Sequence, residues 1–385
     1  MTSFTTVQTA AMQRALRAAA SPDAPPGPNP RVGCVILSPD GDILAEGHHR
    51  GAGSAHAEVD ALANLAATGA SARGASVLVT LEPCNHQGRT GPCVQALLDA
   101  GVAEVIYAQD DPTDQAGGGA AALEAAGVRV RRGLCAQEAG RLNRPWLLAV
   151  TRGRPMVTWK LAATLDGRIA AADGTSQWIT PVAARHDAHR LRRQCGAIMV
   201  GTGTALADDP ALTVRDEAGQ PAPAHLQPLR VVVGSRSLPP TSRVLTDDRY
   251  LLLPDHDPHA VLAVLAEREI RHVLLEGGPT LATAFLRAGV VDEVVAYTAP
   301  ALLGAGAAAL ADFGAATITD ALRLSHPRVE VLGAGDELAV RLSGDLGADD
   351  AHPDAPPVPR PRHSQRPDHR DRAHPPIRPH TEESH

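Results

Sequence analysis

The chain has 385 residues, is 44% hydrophobic and carries a net charge of -7, enough length and apolar content for two domains with sizeable cores. Aromatic residues make up only 2%, which disfavours a stacking platform for nucleic acid, and the acidic balance argues against a polyanionic partner. No apolar run reaches membrane-spanning length, the first residues lack a secretory-signal layout, and the five cysteines show no disulfide pattern, so a reducing cytoplasm is the expected compartment.

Along the chain, Val7, Ala11, Met12, Ala15, Leu16 and Ala19 recur at helical spacing and predict an amphipathic first helix. Ser21–Pro30 is Pro-rich and reads as a loop. Val32–Leu37 and Ile43–Gly47, around a Ser-Pro-Asp-Gly turn, predict strand–turn–strand. His56–Ala67 reads as a helix through Val59, Leu62, Ala63 and Ala66, Ser76–Leu81 as a strand, and Gly91–Ala100 as a short helix. Strands at Val102–Ala108 and Gly127–Arg132 flank an Ala-rich helix. This alternation predicts an α/β layer with a largely parallel sheet.

A boundary falls near Leu142–Pro155, where Arg- and Pro-containing segments bracket a short apolar link. The pattern then restarts, with strands at Met156–Ala162, Ala197–Val200, Leu229–Val233, Tyr250–Leu253, His272–Leu275, Asp292–Thr298 and Glu337–Leu342, and helices at Pro181–Arg193 and Thr280–Ala288. The expected domains are therefore 1–146 and 151–343, with no internal repeat. From 344 onward Pro, Asp, Arg and His replace large apolar residues, which predicts a disordered tail. Its six histidines, His352 to His385, could bind metal loosely.

The chemistry concentrates in His56-Ala57-Glu58 and in Leu81-Glu82-Pro83-Cys84 through Pro92-Cys93. Zinc in a catalytic site takes three protein ligands and leaves one position for water. His56, Cys84 and Cys93 fit that count, and two thiolates with an imidazole suit zinc. Helix starts at His56 and Cys93 would favour the anionic ligands. Glu58, in the first turn after His56, can face the position left for water and move a proton from it to a leaving amine. This is the donor set of a zinc deaminase. Two other readings stay open. Glu58 could be a capping carboxylate beside a buried thiol pair, or His86 could close a structural zinc site as fourth ligand. The loop between the cysteines is longer than the Pro-Cys-x-x-Cys of nucleic-acid deaminases, and its His86 and Arg89 could read a substrate.

The second half has no Gly-x-Gly-x-x-Gly. Gly201-Thr202-Gly203 is a weak signal. Gly277-Gly278-Pro279-Thr280, between a strand and a helix, could hold a phosphate on free N–H groups. An ordinary tight turn reads equally well.

These zinc-motif residues, with Pro28-Asn29-Pro30-Arg31-Val32-Gly33, resemble the bifunctional riboflavin-biosynthesis deaminase–reductase family. Lys160–Arg168, Ser176–Thr180, Ala207–Arg215 and Glu276–Thr280 resemble the reductase half of that family, and the resemblance covers nearly all of residues 7–342. It implies a cytidine-deaminase-like three-layer domain followed by a dihydrofolate-reductase-like α/β domain. It implies zinc at His56, Cys84 and Cys93, Glu58 as proton shuttle, and NADPH in the second half. The implied chemistry is deamination of 2,5-diamino-6-(5-phosphoribosylamino)pyrimidin-4-one, then reduction of the ribosyl group to ribityl, giving 5-amino-6-(5-phosphoribitylamino)uracil.

Carried over by position, Ala162, Trp178, Thr204, Asp208, Ser235, Gly278, Pro279, Thr280, Leu281, Ala282, Thr283 and Ala284 would contact NADPH. Ser176, Arg192, Leu212, Arg215 and Glu276 would contact the substrate. Arg192 and Arg215 would fork onto the ribose phosphate, Trp178 would cover an aromatic ring, and Asp208 or Glu276 would orient the sugar or aid its protonation. Asn29, His48 and His86 are possible deaminase contacts, each equally readable as a loop or capping residue. Without the resemblance, each Arg reads as a surface charge and Trp178 as core. The expected protein is a small-molecule enzyme, a homo-oligomer, with no nucleic-acid or membrane partner. A single-activity deaminase and a non-enzymatic zinc-stabilised nucleotide-binding module remain as alternatives.

Overall fold

A computed structural model describes residues 3–86, 91–113 and 117–346. The expectations placed on Arg89 and on the tail histidines lie outside these residues. The first helix, α1 (Thr6–Ala19), opens with a Thr5–Gln8 capping box and buries Ala11, Met12, Ala15 and Ala19, while Val7 is exposed. Five strands follow: β1 (Gly33–Leu37), β2 (Ile43–His48), β3 (Ser76–Val79), β4 (Glu104–Tyr107) and β5 (Arg129–Arg132). They form one sheet in the order β2-β1-β3-β4-β5.

β1 runs antiparallel to both β2 and β3, and only β3, β4 and β5 are parallel. The sheet is thus half parallel rather than largely so. A tight turn between β1 and β2 can only join antiparallel neighbours, whereas the helical crossovers α3 (Cys93–Asp99) and α4 (Gly119–Ala125) allow the parallel pairs. Along β1, Val35 and Leu37 pack towards α1, and Cys34 and Ile36 pack towards α2 (Ala57–Ala67), Leu97 and Leu123. The domain is therefore three layers, as expected. The buried face of α2 is Ala57, Ala61 and Leu65, with Ala63 and Ala66 exposed. Alanine occurs on both faces of this helix, so apolar spacing alone phased it one residue off.

The apolar link near 142–155 is a pair of helices, α5 (Ala136–Leu142) and α6 (Arg144–Arg152), the second with a proline in its first turn and with Trp146 and Ala149 buried. The second half is built on β6 (Met156–Thr164), β7 (Ala197–Gly201), β8 (Leu229–Val233), β9 (Tyr250–Leu253), β10 (His272–Leu275), β11 (Glu293–Ala299), β12 (Ser325–Leu332) and β13 (Ala339–Asp345). Their order is β12-β13-β11-β6-β10-β7-β8-β9. From β11 to β9 all neighbours are parallel, and β13 and β12 add an antiparallel edge. The helices are α7 (Val182–Arg193), α8 (Thr202–Asp208), α9 (Pro258–Glu267) and α10 (Pro279–Arg287). Strand β13 runs two residues past the composition change at 344, and the Leu346 N–H bonds the Asp292 carbonyl.

Asp292 is a buried node that ties α6 to the second sheet. Its carboxylate accepts from Arg152, from Arg154 at 2.7 and 2.8 Å, and from the Val157 N–H at 2.8 Å. His272, at the start of β10, is buried against Thr158, whose hydroxyl lies 2.8 Å from its Nε2, and burial pushes its pKa down from 6.5 to about 4. The unfolded chain binds this proton below pH 6.5 and the folded one only below about 4. Stability from this residue is therefore complete above pH 6.5 and lost as pH falls towards 4. The loss reaches at most about 3 kcal/mol. Melting curves should show that decline in the wild type and a flatter profile in His272→Gln.

Candidate active sites

The first site is assembled where β3 and α2 end and begin. His56 is the residue before α2 and carries no capping bond of its own, which leaves its ring free. Cys84 follows β3 through Pro83, and Cys93 opens α3. His56 Nδ1 lies 3.4 Å from Cys84 Sγ and 3.3 Å from Cys93 Sγ. Tetrahedral zinc with ordinary bond lengths places such donors about 3.5 Å apart, so the three fit that ion. The Cys93 N–H points at Cys84 Sγ at 3.4 Å, as it would towards a thiolate. The Cys93 thiol bonded to it holds Cys84 down to about 4 despite burial, and His56 adds to this. Cys93 itself is pushed up as the donor of that bond.

Glu58 is 3% exposed, and burial pushes its carboxyl up to about 7. Its carboxylate sits beside the triad, bonded to Cys93, and also accepts from its own backbone N–H in the first turn of α2. Among the described residues the triad has no fourth protein ligand, and the Nδ1 of His86 is buried without a hydrogen bond. A closed structural site through His86 is not formed.

Of the two adjacent histidines, it is His49, not the expected His48, whose ring adjoins the zinc ligand His56. The His48 N–H donates to Asp60, whereas His49 Nε2 accepts from Asn29 at 2.9 Å and its Nδ1 faces the Ala55 carbonyl at 3.0 Å. The His49 ring stands edge-on to His56, centroids 5.6 Å apart. Two adjacent histidines at a strand end cannot be told apart without the strand's phase. Glu82 also had no assigned role. Its carboxylate accepts from the N–H groups of Asp111, Gly118 and Ala120, which fixes the segment before α4 against the cysteine loop. Gly119 closes that contact: a Cβ there would lie 1.8 Å from the Pro83 carbonyl oxygen. Gly119→Ala must push Pro83 and Cys84 aside. We expect zinc affinity to fall about 10- to 100-fold, as for other residues that orient ligands, measured by chelator competition.

The second candidate site lies at the carboxyl ends of β8, β7, β10 and β6. Thr204 in α8 accepts from the Gly278 N–H at 3.1 Å, joining the β7 and β10 turns. Gly278 precedes α10 without a side-chain cap, and Pro279 has no N–H to cap. The N–H groups of Thr280 and Leu281 are left for an anion. Further along, Ala282 is buried in the core and Thr283 accepts from the Ala311 N–H, so these two side chains face inward. Arg236, next to Ser235, also lies here; its guanidinium borders Gly203 and reaches Thr202 at 3.4 Å. A lone Arg in a loop carries no sequence signal. Trp178 is 69% exposed with the Arg185 guanidinium 4.6 Å above its ring, so it is no core residue.

Arg192 does not offer an open fork. Its Nε and Nη2 donate to the two oxygens of Glu276 at 2.6 and 2.9 Å, and Nη1 donates to the Thr213 carbonyl. Lys160 lies 3.7 Å from the same carboxylate. Burial pushes Glu276 up, but Arg192 and Lys160 outweigh it and hold the group at about 2. Among the described residues, Arg215 spends one side-chain donor, on the Gly219 carbonyl. Leu212 is buried in the core, with backbone in the left-handed region, so only its main chain could meet a ligand. Asp208 closes α8, and partial burial raises its carboxyl. Ser176 and Ser235 lie in loops, and Ala162 is near the end of β6.

Residues 5–109 match the cytidine and deoxycytidylate deaminase zinc-binding region, and residues 155–335 match the RibD C-terminal domain. The chain is 53% identical over 309 residues to the riboflavin biosynthesis protein RibD of Mycobacterium tuberculosis (strain H37Rv), covering 80% of this chain and 89% of that one. It is 42% identical over 366 residues to its namesake in Escherichia coli, covering 86% and 98%. Among solved structures, Acinetobacter baumannii RibD, form 1, aligns with a TM-score of 0.79 at 35% identity, covering 89% of this chain and 99% of that one. A deaminase/reductase from Thermotoga maritima aligns at 0.76 and 30% identity, covering 88% and 99%. Among the described residues no helix is long and apolar enough to cross a membrane.

Proposed function

The chain belongs to the RibD family of riboflavin-biosynthesis deaminase–reductases, and from that premise we infer that the residues gathered here run two successive reactions on one pyrimidine phosphate. The first is hydrolytic deamination of 2,5-diamino-6-(5-phosphoribosylamino)pyrimidin-4-one. The second is reduction of its ribosyl group to ribityl by NADPH. The observation that carries the reading is the His56, Cys84 and Cys93 triad with a buried carboxylate, Glu58, in the next helical turn.

His56, Cys84 and Cys93 would hold zinc, which would supply a water acidic enough to attack near neutral pH. Glu58 takes up a proton at its carboxylate and returns it to the leaving amine. Asn29 and His49 hold each other beside His56 and would orient the ring of the substrate. In the second site NADPH, when bound, would supply the hydride. The first turn of α10 and Arg236 would hold its phosphates, Trp178 would cover a ring, and Arg215 would hold the substrate phosphate. Glu276, ionised between two cations, orients rather than protonates. Asp208, whose carboxyl is raised, is the better proton source of the two.

Mass spectrometry of products from the diaminopyrimidinone phosphate tests both steps. Deaminated product should form without NADPH, and a product heavier by two hydrogens only with it. Deaminated product alone in both cases would refute the second activity. We also place the protein in the cytoplasm, in keeping with its five free cysteines. We further take it to be a homo-oligomer. The edge strand β12 supports that reading, since it leaves Val329 and Val331 exposed.

A further inference from the structure

Between the two halves lies a cleft of about 700 Å³, bounded by the Ser21–Pro30 loop, α6, the end of α7 and the first residues of β6, β10 and β11. It is at the opposite end of the second sheet from Glu276 and Gly278, because it opens on Met156, Gly196 and His272, where those strands begin. Its lining is strongly cationic. The two carboxylates there, Glu293 and Asp345, are both taken by Arg144, at 3.9 and 2.9 Å.

Five other guanidiniums in the lining have no carboxylate within ion-pair distance among the described residues, and three of them, Arg31, Arg193 and Arg271, reach the loop. All three converge on the one loop. Arg31 donates to the carbonyls of Ser21 and Ala24, Arg193 to Pro22 at 2.8 Å, and Arg271 to Pro28 at 3.3 Å. A guanidinium carries five N–H donors, so most remain unspent, and the Nε of Arg193 is buried with no hydrogen-bond partner. Burial, then the charge of Arg193, lowers the pKa of Arg31. Charges drawn out of water are normally paired. Carbonyl oxygens satisfy donors but leave the net positive charge uncompensated, which favours an anionic ligand at these three half-buried side chains.

We propose that this cleft is a binding site for a phosphomonoester, held by Arg31, Arg193 and Arg271 and separate from both reaction sites. Forked donors match phosphate geometry, and the volume suits a sugar phosphate rather than a lone halide. The ligand bridges the first half, through the loop and Arg31, to the second, through α7 and β10. Its loop also carries Asn29, which bonds His49 beside the zinc ligands. Occupancy of the cleft would thus be felt at the first reaction site.

The test is calorimetric titration of the zinc-loaded full chain with inorganic phosphate and, separately, ribose 5-phosphate, at fixed ionic strength set with chloride. Saturable phosphate binding is expected, weakened about tenfold or more in Arg193→Gln and in Arg271→Gln and much less in Arg193→Lys, since charge-assisted bonds carry the affinity. Tighter binding of ribose 5-phosphate would assign the site to sugar phosphates, and equal binding to free phosphate. The conservative Lys variant keeps the charge and the fold if a Gln variant melts early. Absence of saturable binding overturns the proposal, as does binding that survives both Gln variants. Loss of the phosphate signal in Arg215→Gln alone would place the anion in the reductase site and also overturn it.

Discussion

Replacing Glu58 by Gln is expected to lower deamination by about 10²- to 10⁴-fold, the span of a lost general acid–base group, while zinc stays bound. Gln has the same shape but cannot accept a proton at neutral pH. The position is buried, so the change removes a charge from a dry site and should cost little stability. None of the three ligand atoms is touched, because Glu58 is not one of them. Zinc content by atomic absorption, deaminase turnover and NADPH oxidation on the deaminated intermediate should be read together. The reductase reaction should be unaffected. Deamination within about tenfold of wild type would remove Glu58 from the chemistry, and loss of zinc would make it a positioning group for the ligands.

The zinc centre was legible because its chemistry depends on residue type and spacing. His56, Cys84 and Cys93 are rare, reactive side chains, and the helix starts that bring them together follow from local signals. His49 was not legible, since its role depends on where β2 ends. The Arg192–Glu276 pair was equally hidden. Each residue matched a substrate position by resemblance, but only the packing of α7 against β10 shows that they spend their donors and acceptors on each other. Besides the α5–α6 pair, which reads as a link, three elements with weak patterns were not legible. Helix α8 holds Gly and Thr and is short, α9 is apolar on nearly all sides, and β12 is an exposed edge strand with a proline. Strand β12 exists because β13 offers it a ladder, which no local propensity reveals.

Glu276→Gln should destabilise the second half by about 3–5 kcal/mol, the usual result of breaking a buried ion pair from one side. The carboxylate is the shared counter-charge of Arg192 and Lys160. Gln would leave two half-buried cations facing each other, and melting should drop by on the order of 10 °C. The sign of the pH effect is fixed by the depressed carboxyl. Its contribution is complete above the ordinary value of 4.5 and is lost only as pH falls through about 2. The gap between variant and wild type should therefore be constant from pH 5 upward. A double variant, Glu276→Gln with Arg192→Met, separates stability from function. Removing the orphaned guanidinium should recover much of the melting temperature, since a buried pair can be replaced by apolar contact at little net cost. Reduction should not recover if Glu276 orients the sugar, and kcat should fall more than KM rises. If the double variant regains reductase activity along with stability, the pair is only a structural tie between α7 and β10, and the substrate contact must be sought at Arg215 and Asp208.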